Sequence, residues 1–151
     1  MLSLDEKRIV DQAIEILDAH ARNRMLSFKV ESPEMLRRYL RLKLESEEHE
    51  VFCVVWLTQT HRVIAFERLF HGSINGCNVY LRQLVKRALH FNAAAMIAVH
   101  NHPSGHSEPS QSDIFLTGKI QEALALIDVR LVDHVVVGKG ELTSFAEKGM
   151  M

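Results

Sequence analysis

The sequence predicts an α/β domain built on a mixed sheet, and three observations carry that expectation. Up to Leu44 the apolar residues recur at helical spacing. At Val51 the pattern switches to a nearly unbroken apolar run, Val51 to Leu57, as in a strand covered on both faces. Later, a strand, a helix and a strand follow one another between Ala95 and Val137. That order is a βαβ unit, whose two strands can run parallel.

The first helix runs from Leu4 to about Ala21, with Ile9, Ala13, Ile16 and Leu17 at helical spacing. No glycine precedes Gly72, which suits a mostly helical beginning. A second helix starts at Ser32, an N-cap residue followed by Pro33 at the first helical position and Glu34 at the positive dipole end. Met35, Leu36, Tyr39, Leu40 and Leu44 supply its buried stripe, and an acidic stretch, Glu45 to Glu50, closes the region. The organisation expected is a helical segment over 1–47 and a sheet-containing domain over 48–151.

Two strands, Val51 to Leu57 and Val63 to Phe70, flank a Gln59-Thr60-His61 turn and form a hairpin. Gly72 to Asn78 is a loop. Leu81 to Phe91 is an amphipathic helix with Leu84, Val85, Ala88 and Leu89 inward. Ala95 to Val99 is a short buried strand that runs straight into His100-Asn101-His102-Pro103. A polar loop, Ser104 to Pro109, leads to a helix from Gln111 to about Ile127 and a strand from Val129 to Val137. Leu142 to Phe145 adds an edge strand.

Composition narrows the function classes. The 151 residues fit one domain, and 47% hydrophobic with 25% charged residues is ordinary for a globular chain. The net charge of -1 lacks the basic excess of a nucleic-acid binder, so direct nucleic-acid binding is not expected. Arg82, Lys86 and Arg87 read as a solvated helix face. Cys53 and Cys77 form no C-x-x-C pair and are expected as reduced thiols, Cys53 in the core. No apolar leader or membrane-length run is present in the sequence, so a cytoplasmic location is expected.

His100-x-His102 carries the chemistry. Side chains at i and i+2 of an extended segment point the same way, and Pro103 pushes His102 toward extended angles. Ser110-Gln111-Ser112-Asp113 explains itself locally as a helix cap, with Asp113 at N3. The same geometry sets Asp113 on the first helical turn just after the histidine loop. Two imidazoles and one carboxylate are good zinc ligands, and three protein ligands leave a fourth position for water, as in catalytic zinc sites. A nearby carboxylate could take the water's proton, with Glu48, Glu50 and Glu67 as candidates. The Ser110 hydroxyl could stabilise an oxyanion.

His100-Asn101-His102-Pro103 followed by Ser110-x-x-Asp113 resembles the JAMM motif of the JAB/MPN metalloprotease superfamily. The strings HNHPSG, EPSQSD, ALIDVRLVDHVVVG and SFAEKG, with EVFCVVWL and LVKRALHFNAAA upstream, resemble the RadC family over roughly Glu48 to Met151. That resemblance implies a mixed sheet flanked by helices, similar to the cytidine-deaminase-like arrangement. It implies zinc on His100, His102 and Asp113, Ser110 beside the oxyanion, and Glu50 as general base ahead of Glu48. The reaction implied is hydrolysis of a peptide or isopeptide bond in a peptide or protein substrate. Two positions depart from the pattern: His106 stands where relatives usually carry Asp, and Ser107 where they often carry Pro. His106 is expected as a solvated residue, with a transient fourth ligand as the alternative. Longer family members carry a helix-hairpin-helix segment whose glycines are absent before Gly72, so this chain looks like a short, single-domain member. Its N-terminal helices would pack on the domain or mediate self-association. The rival readings are a DNA-repair role and a non-catalytic binding module of the same fold. Asp133-His134 fits the family text without a physical role.

Overall fold

The computed structural model describes residues 2–23 and 32–151, so the expected N-terminal segment falls partly outside the described residues. In chain order the elements are α1 (Leu4–Asn23), α2 (Pro33–Leu44), β1 (Val51–Leu57), β2 (Val63–His71), α3 (Leu81–His90), β3 (Ala95–Asn101), α4 (Gln111–Ala125), β4 (Arg130–Val137) and β5 (Leu142–Ser144). The strands form one sheet in the order β2-β1-β3-β4-β5. β1 is antiparallel to both β2 and β3, β3 and β4 are parallel, and β5 is antiparallel to β4. The sheet is therefore mixed, with a βαβ crossover through α4.

The apolar run of β1 is buried along its whole length because each face has its own core. Val51, Cys53, Val55 and Leu57 join Ile97, Val99, Val135 and Val137 beneath Leu36, Leu40 and Leu44 of α2. On the opposite face, Phe52, Val54 and Trp56 join Met96 and Ala98 beneath Leu84 and Ala88 of α3 and Ile120 and Leu124 of α4. Strand alternation carries this second row onward to His100 in β3, at the end of the core.

Three inward assignments change. On α1, Ile9, Ile16 and Leu17 are exposed, while Val10, Ala13 and Ile14 are half-buried. That face is set by Asp18, which accepts the Tyr39 hydroxyl at 3.1 Å and pairs with the buried Lys43 of α2. On α2, Ser32 caps the helix as expected, but Met35 is exposed because Leu36 and Leu40 take the sheet-facing positions. On α3, Leu89 is likewise exposed beside the buried Leu84 and Ala88.

The loop between β3 and α4 is anchored to the far end of β4. At Gly138 a Cβ would come within 2.4 Å of the Gly105 carbonyl. That carbonyl accepts the Lys139 N–H at 2.8 Å. Gly105 itself has φ +96, a conformation open to glycine. The buried Ser107 hydroxyl bonds Thr143 Oγ1 at 2.8 Å. The residues following the histidine pair are therefore held on both sides.

Candidate metal centre

His100 lies within β3, and His102 continues the extended path, its N–H donating to the Val137 carbonyl at 2.9 Å. Both rings therefore fall on one side. Asp113 reaches them from the first turn of α4. His100 Nε2 lies 3.0 Å from His102 Nε2 and 3.3 Å from Asp113 Oδ1, and His102 Nε2 lies 3.2 Å from Asp113 Oδ2. The ligand atoms of all three residues sit within 4.8 Å of one another. Two imidazole nitrogens and a carboxylate oxygen, this close and partly open to solvent, fit a divalent cation such as zinc.

The local reading of Ser110 and Asp113 as a helix cap holds. Ser110 Oγ accepts the Asp113 N–H at 3.1 Å, and Asp113 Oδ2 accepts the Ser110 N–H at 2.8 Å, completing a capping box. The cap orients the carboxylate toward the histidines. Burial works to raise the Asp113 pKa, but the adjoining His100 and His102 rings and the Ser110 N–H hold it far below the usual carboxylate range. His102 is raised, chiefly by its bond to Asp113. Its Nδ1 lies 2.9 Å from the His106 carbonyl. A carbonyl only accepts, so His102 Nδ1 carries a proton, and in the neutral ring Nε2 is the lone pair a cation would take.

Glu50 precedes β1 and extends its ladder: its N–H donates to Ser73 O and its carbonyl accepts the Gly72 N–H, both at 2.8 Å. It lines the same cavity, about 1240 Å³, as His100, His102, Ser110 and Asp113. Burial, reinforced by Asp113 and opposed by the two histidines, raises its pKa. Glu48 is exposed and borders a different depression beside Arg41. Glu67 is engaged elsewhere: it accepts Trp56 Nε1 at 2.8 Å and forms an ion pair with Arg87. Of the three glutamates considered from sequence, Glu50 alone faces the ligand set. Arg87 is thereby a structural cation, while Arg82 and Lys86 are exposed as expected.

A family model described as "RadC-like JAB domain" matches residues 30–150. The chain belongs to the RadC-like JAB domain family. A UPF0758 protein of Stutzerimonas stutzeri (strain A1501) is 57% identical over 122 residues, which is 81% of this chain and 54% of that protein. A UPF0758 protein of Azotobacter vinelandii (strain DJ / ATCC BAA-1303) is 55% identical over 122 residues, with the same coverage. A third, from Cellvibrio japonicus (strain Ueda107), is 55% identical over 120 residues, or 80% of this chain and 54% of that protein. The chain thus spans about half the length of the curated relatives it matches.

Within this RadC-like JAB domain, the two departures have physical readings. The His106 ring is 88% exposed and lies outside the converging ligands among the described residues. What reaches the site is its backbone carbonyl, on His102. Ser107 is buried, and its N–H donates to Glu141 Oε1 at 3.0 Å, a bond proline cannot make. Asp133 also has a role: it accepts Ser144 Oγ at 2.6 Å and the Ala146 N–H at 3.0 Å, fastening the tail to β4.

Sequence reasoning passed over Asn101 and Thr117 and found no role for His134. Asn101, between the two histidines, is buried; its Oδ1 accepts the Val51 N–H at 2.7 Å and its Nδ2 donates to the His49 carbonyl at 2.9 Å. It grips the backbone on both sides of Glu50. The available signal was polarity inside apolar strands, since a buried amide or imidazole needs partners. No described helix is long and apolar enough to cross a membrane.

Proposed function

We propose that this chain is a zinc-dependent metallohydrolase that cleaves a peptide or isopeptide bond in a protein substrate. The observation that carries this reading is the shared opening: His100, His102 and Asp113 converge there, and Glu50 and Ser110 stand on its wall. His100, His102 and Asp113 would hold zinc through two nitrogens and one carboxylate and would leave a position for water or a substrate carbonyl. Zinc bound there supplies Lewis acidity, polarising a carbonyl and acidifying water from about 15.7 toward roughly 7.

The remaining work falls to the chain's own residues. Glu50, whose proton affinity is raised by burial, accepts a proton from the attacking water and delivers it to the leaving nitrogen. Its position is held by Asn101 through His49 and Val51. Ser110 Oγ accepts from the Asp113 N–H, so its own proton can be donated to the developing oxyanion. Ile74, Tyr80 and Leu116 border the opening, offering apolar surface to an uncharged stretch of polypeptide. The free thiols Cys53 and Cys77 suit a reducing, cytoplasmic setting.

The test compares native protein with Asp113→Ala and Glu50→Gln for zinc content and for cleavage of a peptide library read by mass spectrometry. Native protein should hold zinc and cleave. Asp113→Ala should lose both properties. Glu50→Gln should keep zinc and lose turnover by about 10²–10⁴-fold. Undiminished cleavage by Glu50→Gln would remove Glu50 as the base, and native protein without zinc would remove the metallohydrolase reading.

A further inference from the structure

β4 carries a histidine that the metal-ligand reading leaves unused. His134 is fully buried in a strand that is otherwise apolar toward the core. Both of its ring nitrogens are partnered. Nε2 lies 2.8 Å from Nδ1 of His100, and Nδ1 lies 2.6 Å from Oγ1 of Thr117 on α4. Phe145 stacks on the ring at 4.7 Å, and Phe52 meets it edge-on at 5.9 Å. The ring is clamped, and no carboxylate is among these neighbours.

The far end of this chain dictates the direction of every proton in it. Thr117 Oγ1 lies 2.7 Å from the Asp113 carbonyl oxygen. A carbonyl has no proton to give, so the single hydroxyl proton of Thr117 goes there. Thr117 then offers only lone pairs to His134, and His134 Nδ1 must be the donor. A neutral imidazole has one N–H, so His134 Nε2 is an acceptor. His100 must therefore donate from Nδ1. In the neutral ring its other nitrogen, Nε2, is then the lone pair, and that is the atom facing His102 Nε2 and Asp113 Oδ1.

We infer that His134, itself set by Thr117, is a positioning residue that locks His100 in its Nδ1–H tautomer and aims Nε2 at the bound cation. The inference rests on the metal-site reading above and adds the residues that prepare one of its ligands. The chain closes on itself chemically: it begins at the backbone of one ligand, Asp113, and ends on the ring of another, His100. It also joins α4 to β3 through β4, so the two ligand-bearing elements share one hydrogen-bonded frame. His102 obtains the same tautomer by a separate route, through the His106 carbonyl. Acceptors placed behind metal-binding histidines in this way typically govern metal affinity by 10–100-fold.

Three variants and two readouts separate this role from packing. His134→Leu removes the acceptor. His134→Gln returns an acceptor oxygen near the place of Nε2. Thr117→Val keeps the shape and removes the hydroxyl. Zinc affinity is measured by competition with a chromophoric chelator. The His100 tautomer is read by ¹H–¹⁵N correlation on histidine-labelled protein before zinc is added. His134→Leu should weaken zinc by about 10–100-fold, His134→Gln should regain most of that loss, and Thr117→Val should fall between. Native His100 should read as Nδ1–H, and the Leu variant as a tautomer mixture. Zinc affinity unchanged in a folded His134→Leu protein, or native His100 protonated on Nε2, overturns the inference. Should the Leu variant fail to fold, unchanged affinity and unchanged tautomer in Thr117→Val overturn it equally. Native protein with the Nδ1–H tautomer but no zinc affinity supports the proton chain and refutes the metallohydrolase reading, so the two failures are distinguishable.

Discussion

Replacing Asn101 with alanine tests how the glutamate-bearing segment is held against the metal ligands. The side chain makes two hydrogen bonds, 2.7 Å from the Val51 N–H and 2.9 Å to the His49 carbonyl. Their loss is asymmetric. His49 is exposed, so its carbonyl can turn to water and the net cost is about 1 kcal/mol. Val51 is only 2% exposed, and an N–H stranded there costs about 1–3 kcal/mol. The sum is about 2–4 kcal/mol, which for a domain of this size lowers Tm by roughly 4–16 °C. Thermal and urea unfolding of the zinc-free variant measure it. Zinc affinity, read in parallel, should change little, because no ligand side chain is touched, whereas turnover should fall with the loosening of Glu50. Stability within about 0.5 kcal/mol of native, the usual range for a surface change, would refute the claim that Asn101 fastens this segment.

Ser110→Ala should destabilise even zinc-free protein by about 1 kcal/mol through loss of the α4 cap, in addition to any loss of turnover. Calorimetry without zinc isolates that part, and an unchanged Tm would contradict the cap. Glu50→Gln should stabilise zinc-free protein at pH 8 and not at pH 4. The folded pKa is raised, so the native state resists losing this proton and stability falls as pH rises from the ordinary glutamate value through the raised one. An equal Tm shift at both pH values would count against a buried, proton-hungry Glu50. Cys53 is buried, and burial pushes its thiol up to about 12. It should resist an aromatic disulfide reagent in native protein and react on unfolding; prompt labelling of Cys53 under native conditions would be inconsistent with its place in the core.

The parts of this fold that were legible in the sequence are those where one physical cause dominates. β1 was readable because an apolar run between two cores has no polar face to blur it. His100, His102 and Asp113 were readable because an extended i, i+2 pair followed by an N3 carboxylate leaves little freedom in where the groups point. The helical faces were less so. α1 offers Ile9, Val10, Ala13, Ile14, Ile16 and Leu17, enough for two overlapping stripes, and the choice falls to a tertiary partner, the Asp18 link to Tyr39 and Lys43. Glu48, Glu50 and Glu67 could not be ranked without pairing register, because only the β1–β2 and β1–β3 ladders place Glu50 beside the end of β3. Asn101 and His134 were visible as polar residues in apolar strands, but their partners lie 50 and 34 residues away in sequence.

One measurement bears most directly on the whole account: anomalous diffraction at the zinc edge from crystals of the zinc-loaded protein. The predicted result is a single strong peak about 2.0–2.2 Å from His100 Nε2, His102 Nε2 and an Asp113 carboxylate oxygen, on the side facing Glu50. A peak bound elsewhere, or a folded protein that takes up no zinc, would contradict it.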